Sequence, residues 1–100
     1  MSKIKKTLSK ILRGSADSNI HFGDLCALLN HLGFAERIRG DHHIFTRDGI
    51  REIINLQPRG GMAKAYQVKQ VRGIIVANEL AEELDDKVQS DGGSGSDDSE

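Results

Sequence analysis

Two adjacent histidines, His42 and His43, stand in a short segment of β-branched and aromatic residues directly after Gly40 and Asp41. An imidazole exchanges protons near neutral pH, and a carboxylate beside it would orient the ring and favour its charged form. Successive side chains of a strand point to opposite faces, so the two rings cannot act together on one substrate group. We interpret His42 as a candidate general acid or base and His43 as a half-buried packing residue.

Basic side chains are numerous on both sides of this histidine pair. The planar fork of arginine matches two phosphate oxygens, and lysine supplies a point charge. The segment from Arg59 to Lys64 precedes a predicted helix, whose first N–H groups and dipole attract anions. It would be a flexible phosphate cradle, or a solvated connection that carries two cations. The candidate cations for binding a polyanion are Arg37, Arg39, Arg59, Lys64, Lys69 and Arg72.

The formal net charge of −1 conceals a strong asymmetry along the 100 residues. Residues 1–78 contain 13 Lys or Arg and 6 Asp or Glu, a balance of +7, whereas residues 79–100 contain 1 and 9, a balance of −8. A basic body of this kind favours binding to a polyanion such as RNA. An acidic protein partner would satisfy the same charge, so both classes of partner stay open.

The sequence carries no motif of the common cofactor enzymes, such as a Walker loop, a dinucleotide fingerprint or a Gly-x-Ser-x-Gly elbow. His21 and His31 show no metal-ligand spacing with each other or with His42 and His43, and the single Cys26 is too few for a structural zinc site. We therefore expect no cofactor and no metal. One cysteine favours the reducing cytoplasm, and the short apolar runs predict no membrane span.

Two amphipathic helices are predicted ahead of the strands, because apolar residues recur at helical spacing. The first ends at Gly14, and the second begins at Phe22 and stops at Gly33. The spacing makes Cys26 a small core residue of the second helix. The predicted apolar faces consist of Ile4, Leu8, Ile11 and Leu12 in the first helix, and of Phe22, Leu25, Cys26, Leu29 and Leu32 in the second.

Three short strands follow, because apolar and polar residues alternate and the Asp48-Gly49 pair is a hairpin turn signal. The predicted strands cover Phe34 to Arg39, His42 to Thr46 and Ile53 to Gln57. The predicted buried face of the sheet consists of Phe34, Ile38, Phe45, Ile54 and Leu56. The opposite face is polar and basic, and consists of Arg37, Arg39, His42, Ile44, Thr46, Asn55 and Gln57.

A final helix is predicted from Ala65 to Leu80, with Val68, Val71 and Ile75 as its core stripe. The order of elements predicts an α+β fold, a two-layer sandwich with the helices on one face of an antiparallel sheet. Residues 1–80 would form one domain with its core at about residues 19–78. Residues 81–100 would be an acidic, largely disordered tail, and the chain would fray outward from Glu79.

The segment from Gly40 to Phe45, together with Leu32 to Phe34, resembles the HicA family of bacterial toxin-antitoxin ribonucleases. In that family a Gly-Ser-His motif opens the second strand of an α-β-β-β-α fold like the double-stranded-RNA-binding domain. In this chain Asp41 stands in place of the serine. The resemblance extends over about residues 19–78 and implies the same fold here, with an additional N-terminal helix.

The resemblance implies a cytoplasmic mRNA interferase that is a monomer when free and is neutralised by a HicB-like antitoxin. It also implies that one histidine, here His42, carries out cleavage. A base at this position would remove the proton of a ribose 2′-hydroxyl without a metal, so RNA but not DNA would be cut. Two alternatives stay open: a non-catalytic RNA-binding module of the same fold, and a protein-interaction domain that meets an acidic partner.

Overall fold

Helices and a three-stranded antiparallel sheet make up the computed structural model of the protein, which describes residues 3–84. The strands lie in the order β1-β2-β3, so each hairpin neighbour in sequence is also a neighbour in the sheet. The α+β class is confirmed, and the arrangement is compatible with a two-layer sandwich. The elements are α1 (Lys3–Arg13), a short 3-10 turn (Asp17–Asn19), α2 (Phe22–His31), β1 (Ala35–Arg39), β2 (His42–Arg47), β3 (Ile50–Leu56) and α3 (Ala65–Ala77).

One face of the sheet is buried against the helices. Phe45, Ile54 and Leu56 are each 0% exposed. Phe45 pairs with Ile54 in register, and Leu56 pairs with His43. Since strand side chains alternate between faces, this register leaves the face that carries His42 turned away from the core. The predicted buried face is confirmed for these three residues and for Phe34.

Ile38 departs from that prediction, because it is 59% exposed. It lies on the same face as its register partner His43, but near the end of the edge strand β1. In the described part of the chain, Glu36 is half-buried on this face while Ile38 is left open to solvent. Alternation assigns a side chain to a face, but it does not tell whether a helix reaches that end of the strand.

The helix faces are close to those predicted, with two shifts. In α1 the buried residues are Thr7, Leu8 and Ile11, whereas Leu12 is 39% exposed. In α2 the buried face also includes Leu28, which is fully buried although the predicted face leaves it out. A helix that packs on neighbours from two directions buries a wider stripe than a single-face pattern marks.

The final helix is shorter than predicted, since α3 ends at Ala77 and the chain turns at Glu79, whose φ is 56°. Helical residues then resume at 80–84. Leu80 and Leu84 are 1% and 2% exposed, so they belong to the core. The expectation that the chain frays from Glu79 is therefore wrong for residues 80–84, which are helical and contribute two side chains to the core. The rest of the predicted tail, residues 85–100, lies outside the described residues.

An ion pair ties this C-terminal segment to the body of the domain. Arg47 at the end of β2 donates from Nη2 to Glu83, with a shortest contact of 2.8 Å to Oε1. Its Nη1 donates to the carbonyl oxygen of Leu32 at 3.0 Å. One guanidinium thus joins β2, the end of α2 and the segment 80–84.

A second arginine fixes the connection between α1 and α2. Arg72 on α3 donates from Nη1 to Asp17 Oδ1 at 2.8 Å and from Nη2 to Asp17 Oδ2 at 3.2 Å. Nη1 also donates to the carbonyl oxygen of Ile11 at 3.1 Å. The hydrogen bonds from Arg72 hold the pKa of Asp17 below its usual value. The guanidinium of Arg72 is thereby engaged in packing inside the domain.

This pair predicts an acid-dependent effect of Asp17→Asn. A carboxyl whose pKa is lowered by folding stabilises the fold above its unfolded value of 3.8, and the stabilisation is lost as pH falls through the folded value. The melting temperature of Asp17→Asn should lie below that of the wild type at about pH 7, and the difference should be smaller at about pH 3, below the unfolded value. Calorimetry at both pH values measures this, and an equal difference at both would contradict it.

Candidate nucleic-acid interface

The sheet face turned away from the helices is open and basic. Arg39 lies directly opposite His42, and Arg37 lies opposite Ile44, which in turn pairs with Asn55. Opposed residues of antiparallel strands have Cβ atoms about 4.5–5.5 Å apart, so both arginines neighbour the row that carries the histidine. Apart from the half-buried Ile44, all of these residues are exposed. Three predicted site residues, Arg37, Arg39 and His42, therefore share one face.

The imidazole of His42 is held at one nitrogen and faces a carboxylate with the other. Nδ1 lies 3.0 Å from Asn55 Oδ1, and the side chain is 49% exposed. With Oδ1 as the acceptor, this contact matches the tautomer that has its proton on Nδ1 and a lone pair on Nε2. Nε2 lies 3.9 Å from Asp41 Oδ1, so this nitrogen faces the carboxylate. The arrangement suits a general base.

Asp41 is itself held by a polar chain that leads to the start of α3. Its Oδ2 accepts from Gln57 Nε2 at 2.8 Å, and Gln57 Oε1 accepts from Lys64 Nζ at 3.3 Å. The hydrogen bond from Gln57, helped by the charges of His42 and Lys64, holds the pKa of Asp41 below its usual value. Asp41 is therefore ionised at neutral pH. This row of hydrogen-bonded side chains connects Asp41, beside the candidate base His42, with Lys64, a predicted phosphate-binding lysine.

Gln57 is positioned in turn by Gln67, a buried residue of α3 that is 4% exposed. The side-chain amide of Gln67 pairs with the backbone of Gln57, accepting from its N–H and donating to its carbonyl oxygen, each at 3.3 Å. This contact fixes the end of β3 against α3. The sequence pattern does not predict this contact, because a lone glutamine beside the core position Val68 is typical of an ordinary surface residue.

The segment after β3 is a tight turn, which corrects the prediction of a flexible loop. Arg59 and Met62 exchange backbone hydrogen bonds of 2.9 and 3.0 Å. Gly60 and Gly61 between them have φ of 58° and 79°. Two successive positive φ angles belong to a type I′ turn, which glycine enters without steric cost. Further backbone bonds join the segment to residues 20–22, so Arg59 and Lys64 project from an ordered frame.

An open cleft of about 500 Å³ lies at the start of α3. Arg59, Lys64 and Tyr66 are among its lining residues, and Tyr66 is 64% exposed. An exposed aromatic ring beside two cations can stack on an unpaired base whose phosphates the cations bind. Tyr66 is a further candidate site residue, which the sequence pattern does not single out. The signal for it is an aromatic side chain two positions after the end of the basic segment 59–64.

Lys69 and Arg72 belong neither to the strands of the open sheet face nor to the residues that line the cleft. Both belong to α3, near Asp17 in the helix layer, where their charges contribute to lowering the pKa of that carboxyl. Lys69 is exposed, whereas the guanidinium of Arg72 is engaged by Asp17. The structure thus brings four of the six predicted cations toward the sheet face and the cleft, and leaves these two with the helices.

His43 points toward the helices and is half-buried, as its place in the strand predicts. Its ring meets the ring of Phe22 edge to face, with centroids 4.9 Å apart and planes at 76°. Its Nδ1 lies 2.6 Å from Glu36 Oε2, and Asn30 donates to Glu36 Oε1 at 3.0 Å. The hydrogen bonds from Asn30 and His43 hold the pKa of Glu36 below its usual value. Burial, with the charge of Glu36, raises the pKa of the neighbouring Cys26 thiol to about 11.

Comparisons of the chain with protein-family models, with curated proteins and with solved structures gave no match. Within residues 3–84, no helix has the length and apolar character needed to cross a membrane. The functional interpretation consequently depends on the geometry of the sheet face, on its charge, and on the motif around His42.

Proposed function

We propose that this protein is a ribonuclease of the HicA type, which cleaves mRNA through His42 without a metal. The observation that carries the proposal is the placement of that imidazole. It is half-exposed on an open basic face, with Nδ1 held by Asn55 and Nε2 directed toward Asp41. The resemblance of the Gly-Asp-His-His segment to the HicA motif, and the α+β element order, support the same assignment.

The proposed reaction uses the 2′-hydroxyl of RNA as its nucleophile. Nε2 of His42 takes the hydroxyl proton, and the 2′-oxygen forms a bond to the adjacent phosphorus. The bond from phosphorus to the 5′-oxygen breaks, and that oxygen takes a proton from solvent. The products are a 2′,3′-cyclic phosphate and a 5′-hydroxyl. Arg39, directly opposite His42, would stabilise the charge that develops on the phosphate oxygens.

Asp41 has two opposing effects on this reaction. Its negative charge stabilises the imidazolium that forms when Nε2 is protonated, but it also repels an approaching phosphate. The hydrogen bond from Gln57, which Lys64 extends, engages the carboxylate on its Oδ2 side. The carboxylate therefore faces His42 with Oδ1. On its other side, Gln57 links it to the ammonium group of Lys64, whose positive charge offsets the negative charge of Asp41.

The strand of RNA would follow the cations across the sheet face. Arg37 and Arg39 would bind phosphates beside His42, and Arg59 and Lys64 would bind phosphates at the cleft. Tyr66 would stack on a base there. A HicB-like antitoxin that covers this surface with acidic side chains would block both binding and cleavage, which is the proposed means of control in the cytoplasm.

Loss of one phosphate contact should change the salt dependence of binding. For Arg39→Gln, affinity for single-stranded RNA should fall, and the slope of log affinity against log salt should become shallower by about 0.7. Binding of RNA is measured by fluorescence anisotropy over a salt series. The same series is repeated with single-stranded DNA of the same sequence, because the proposed reaction cannot cut that ligand during the measurement. Arg13→Gln, an exposed arginine at the end of α1, is the matched control. The same slope in both variants would contradict the placement of RNA over Arg39.

Cleavage itself is tested by incubating labelled RNA with the wild type and with His42→Ala. The expected result is cleavage by the wild type alone. Equal RNA affinity in both proteins, with cleavage by neither, would favour the non-catalytic RNA-binding module instead. An absence of RNA binding by either protein, with tight binding of an acidic protein, would favour the interaction domain.

A further inference from the structure

Three potential metal ligands converge on the helix side of the sheet, away from the proposed ribonuclease site. A thiol, a carboxylate and an imidazole are supplied by Cys26, Glu36 and His43, and their ligand atoms all lie within 4.8 Å of one another. Each comes from a different element, α2, β1 and β2 respectively. The fold therefore assembles this triad from residues that are distant in sequence.

The triad is held in place by neighbours that are not themselves ligands. Asn30, one helical turn after Cys26, donates to Glu36 Oε1 at 3.0 Å and to the carbonyl oxygen of Cys26 at 3.0 Å. Phe22 packs edge to face on the ring of His43. Outer contacts of this kind orient ligands in metal sites and fix their rotamers. The carboxylate of Glu36 and the ring of His43 are thus oriented before any ion arrives.

From this convergence we propose that Cys26, Glu36 and His43 form a zinc-binding site with a fourth position open to solvent. Sulfur, nitrogen and oxygen together are the donor set of zinc and of the related ions cobalt and cadmium, whereas calcium and magnesium take oxygen ligands. A thiolate and a carboxylate carry two negative charges, which a divalent ion neutralises in a half-buried place.

The geometry needs only a small adjustment to hold the ion. Tetrahedral zinc with bonds of about 2.0–2.3 Å sets its ligand atoms roughly 3.5 Å apart. In the metal-free arrangement Glu36 Oε2 lies 2.6 Å from His43 Nδ1, a hydrogen bond in which the proton occupies the place of the metal. Zinc bound at Nδ1 would leave the ring proton of a neutral His43 on Nε2, and the thiol proton of Cys26 would be released to solvent. Ile38, the exposed register partner of His43, marks the open strand end by which an ion would enter.

Titration of the purified, metal-stripped full chain with Co²⁺ alone tests the site. We expect one equivalent to bind, with a thiolate-to-cobalt charge-transfer band and the intense ligand-field bands of a tetrahedral ion, and we expect Zn²⁺ to displace it. Zn²⁺ at about a hundred times its dissociation constant should raise the melting temperature by roughly 10–20 °C. Absence of the charge-transfer band in a folded protein would overturn the proposal.

Variants separate the site from adventitious binding. Cys26→Ser and Glu36→Gln should each weaken Co²⁺ binding at least about 100-fold, and Asn30→Ala should weaken it about 10- to 100-fold through the second layer. His42→Gln, an imidazole change on the opposite sheet face, is the matched control and should bind as the wild type does. Circular dichroism of each metal-free variant establishes that it is folded. Unchanged binding in a folded Cys26→Ser would show that the ion sits elsewhere.

The metal site and the proposed ribonuclease succeed or fail separately. RNA cleavage through His42 is expected in excess chelator at temperatures below the metal-free melting point, whether or not zinc binds on the other face. Conversely, Co²⁺ binding is read from its spectrum without any RNA. A protein that binds Co²⁺ but leaves RNA intact would therefore retain the metal site and lose the ribonuclease assignment.

Discussion

Replacing His42 with alanine should slow RNA cleavage by about 10² to 10⁴-fold, the range that a positioned general base contributes. The reason is that Nε2 of this ring is the proposed acceptor of the 2′-hydroxyl proton, with Nδ1 held by Asn55 at 3.0 Å. Single-turnover cleavage of a labelled RNA measures the rate. The affinity for RNA should change little, because the phosphate contacts come from the arginines and Lys64.

The matched control is His21→Ala, which removes an exposed imidazole elsewhere in the domain. It should cleave at the wild-type rate, and thermal melts of both variants should establish that each is folded. A His42→Ala protein that still degrades RNA at the wild-type rate would remove the catalytic assignment. Equal slowing by His21→Ala would show that the effect does not belong to His42 in particular.

Two consecutive isoleucines in β3 should differ sharply in their effect on stability. Ile54 is 0% exposed and Ile53 is 62% exposed, because they point to opposite faces of the sheet. Ile54→Ala should lower the free energy of unfolding by about 2–5 kcal/mol through lost burial and a residual cavity. Ile53→Ala should change it by no more than about 0.5 kcal/mol. Each variant is the control for the other, since the chemical change is the same.

Denaturant unfolding followed by circular dichroism measures both values. The comparison tests the register of the β2 and β3 strands directly, because a slip of one residue would exchange the two faces and reverse the order of the effects. It also tests which face is open to RNA. A larger loss of stability for Ile53→Ala than for Ile54→Ala would contradict the assignment of His42 to the open face.

Local patterns were sufficient to predict the elements and most of the core. Alternation in the sequence placed Phe45, Ile54 and Leu56 on one face and His42 on the other, because the period of a strand is fixed by its geometry. The Asp48-Gly49 turn followed from the same kind of local chemistry. These features depend on few neighbours, so a single sequence carries them.

Features that depend on where elements meet could not be read from the pattern. Ile38 has the right parity for burial, but no helix of the described chain covers its end of β1. Leu84 lies in an acidic stretch that looks solvated, yet it packs into the core and the neighbouring Glu83 pairs with Arg47. Arg72 has the chemistry of a phosphate ligand, but Asp17, far away in sequence, engages it.

The candidate site shows the same division. The open face with Arg37, Arg39 and His42 follows from strand parity, whereas the hydrogen bond that orients His42 is made with Asn55 on another strand. The metal triad could not be predicted, because its members are separated by 10 and 7 positions and match no ligand spacing. Neither the single cysteine nor the spacing of the histidines indicates the proposed site, because its three ligands come from three different elements.

The central claim, that His42 promotes attack by the 2′-hydroxyl, is tested most directly by the products of cleavage. Wild-type protein in excess chelator is incubated with one sequence supplied as RNA and as DNA, and the fragments are analysed by mass spectrometry. The account predicts RNA fragments ending in a 2′,3′-cyclic phosphate, with the DNA left intact. Cleavage of the DNA at a comparable rate, or RNA fragments that carry a 5′-phosphate, would contradict it.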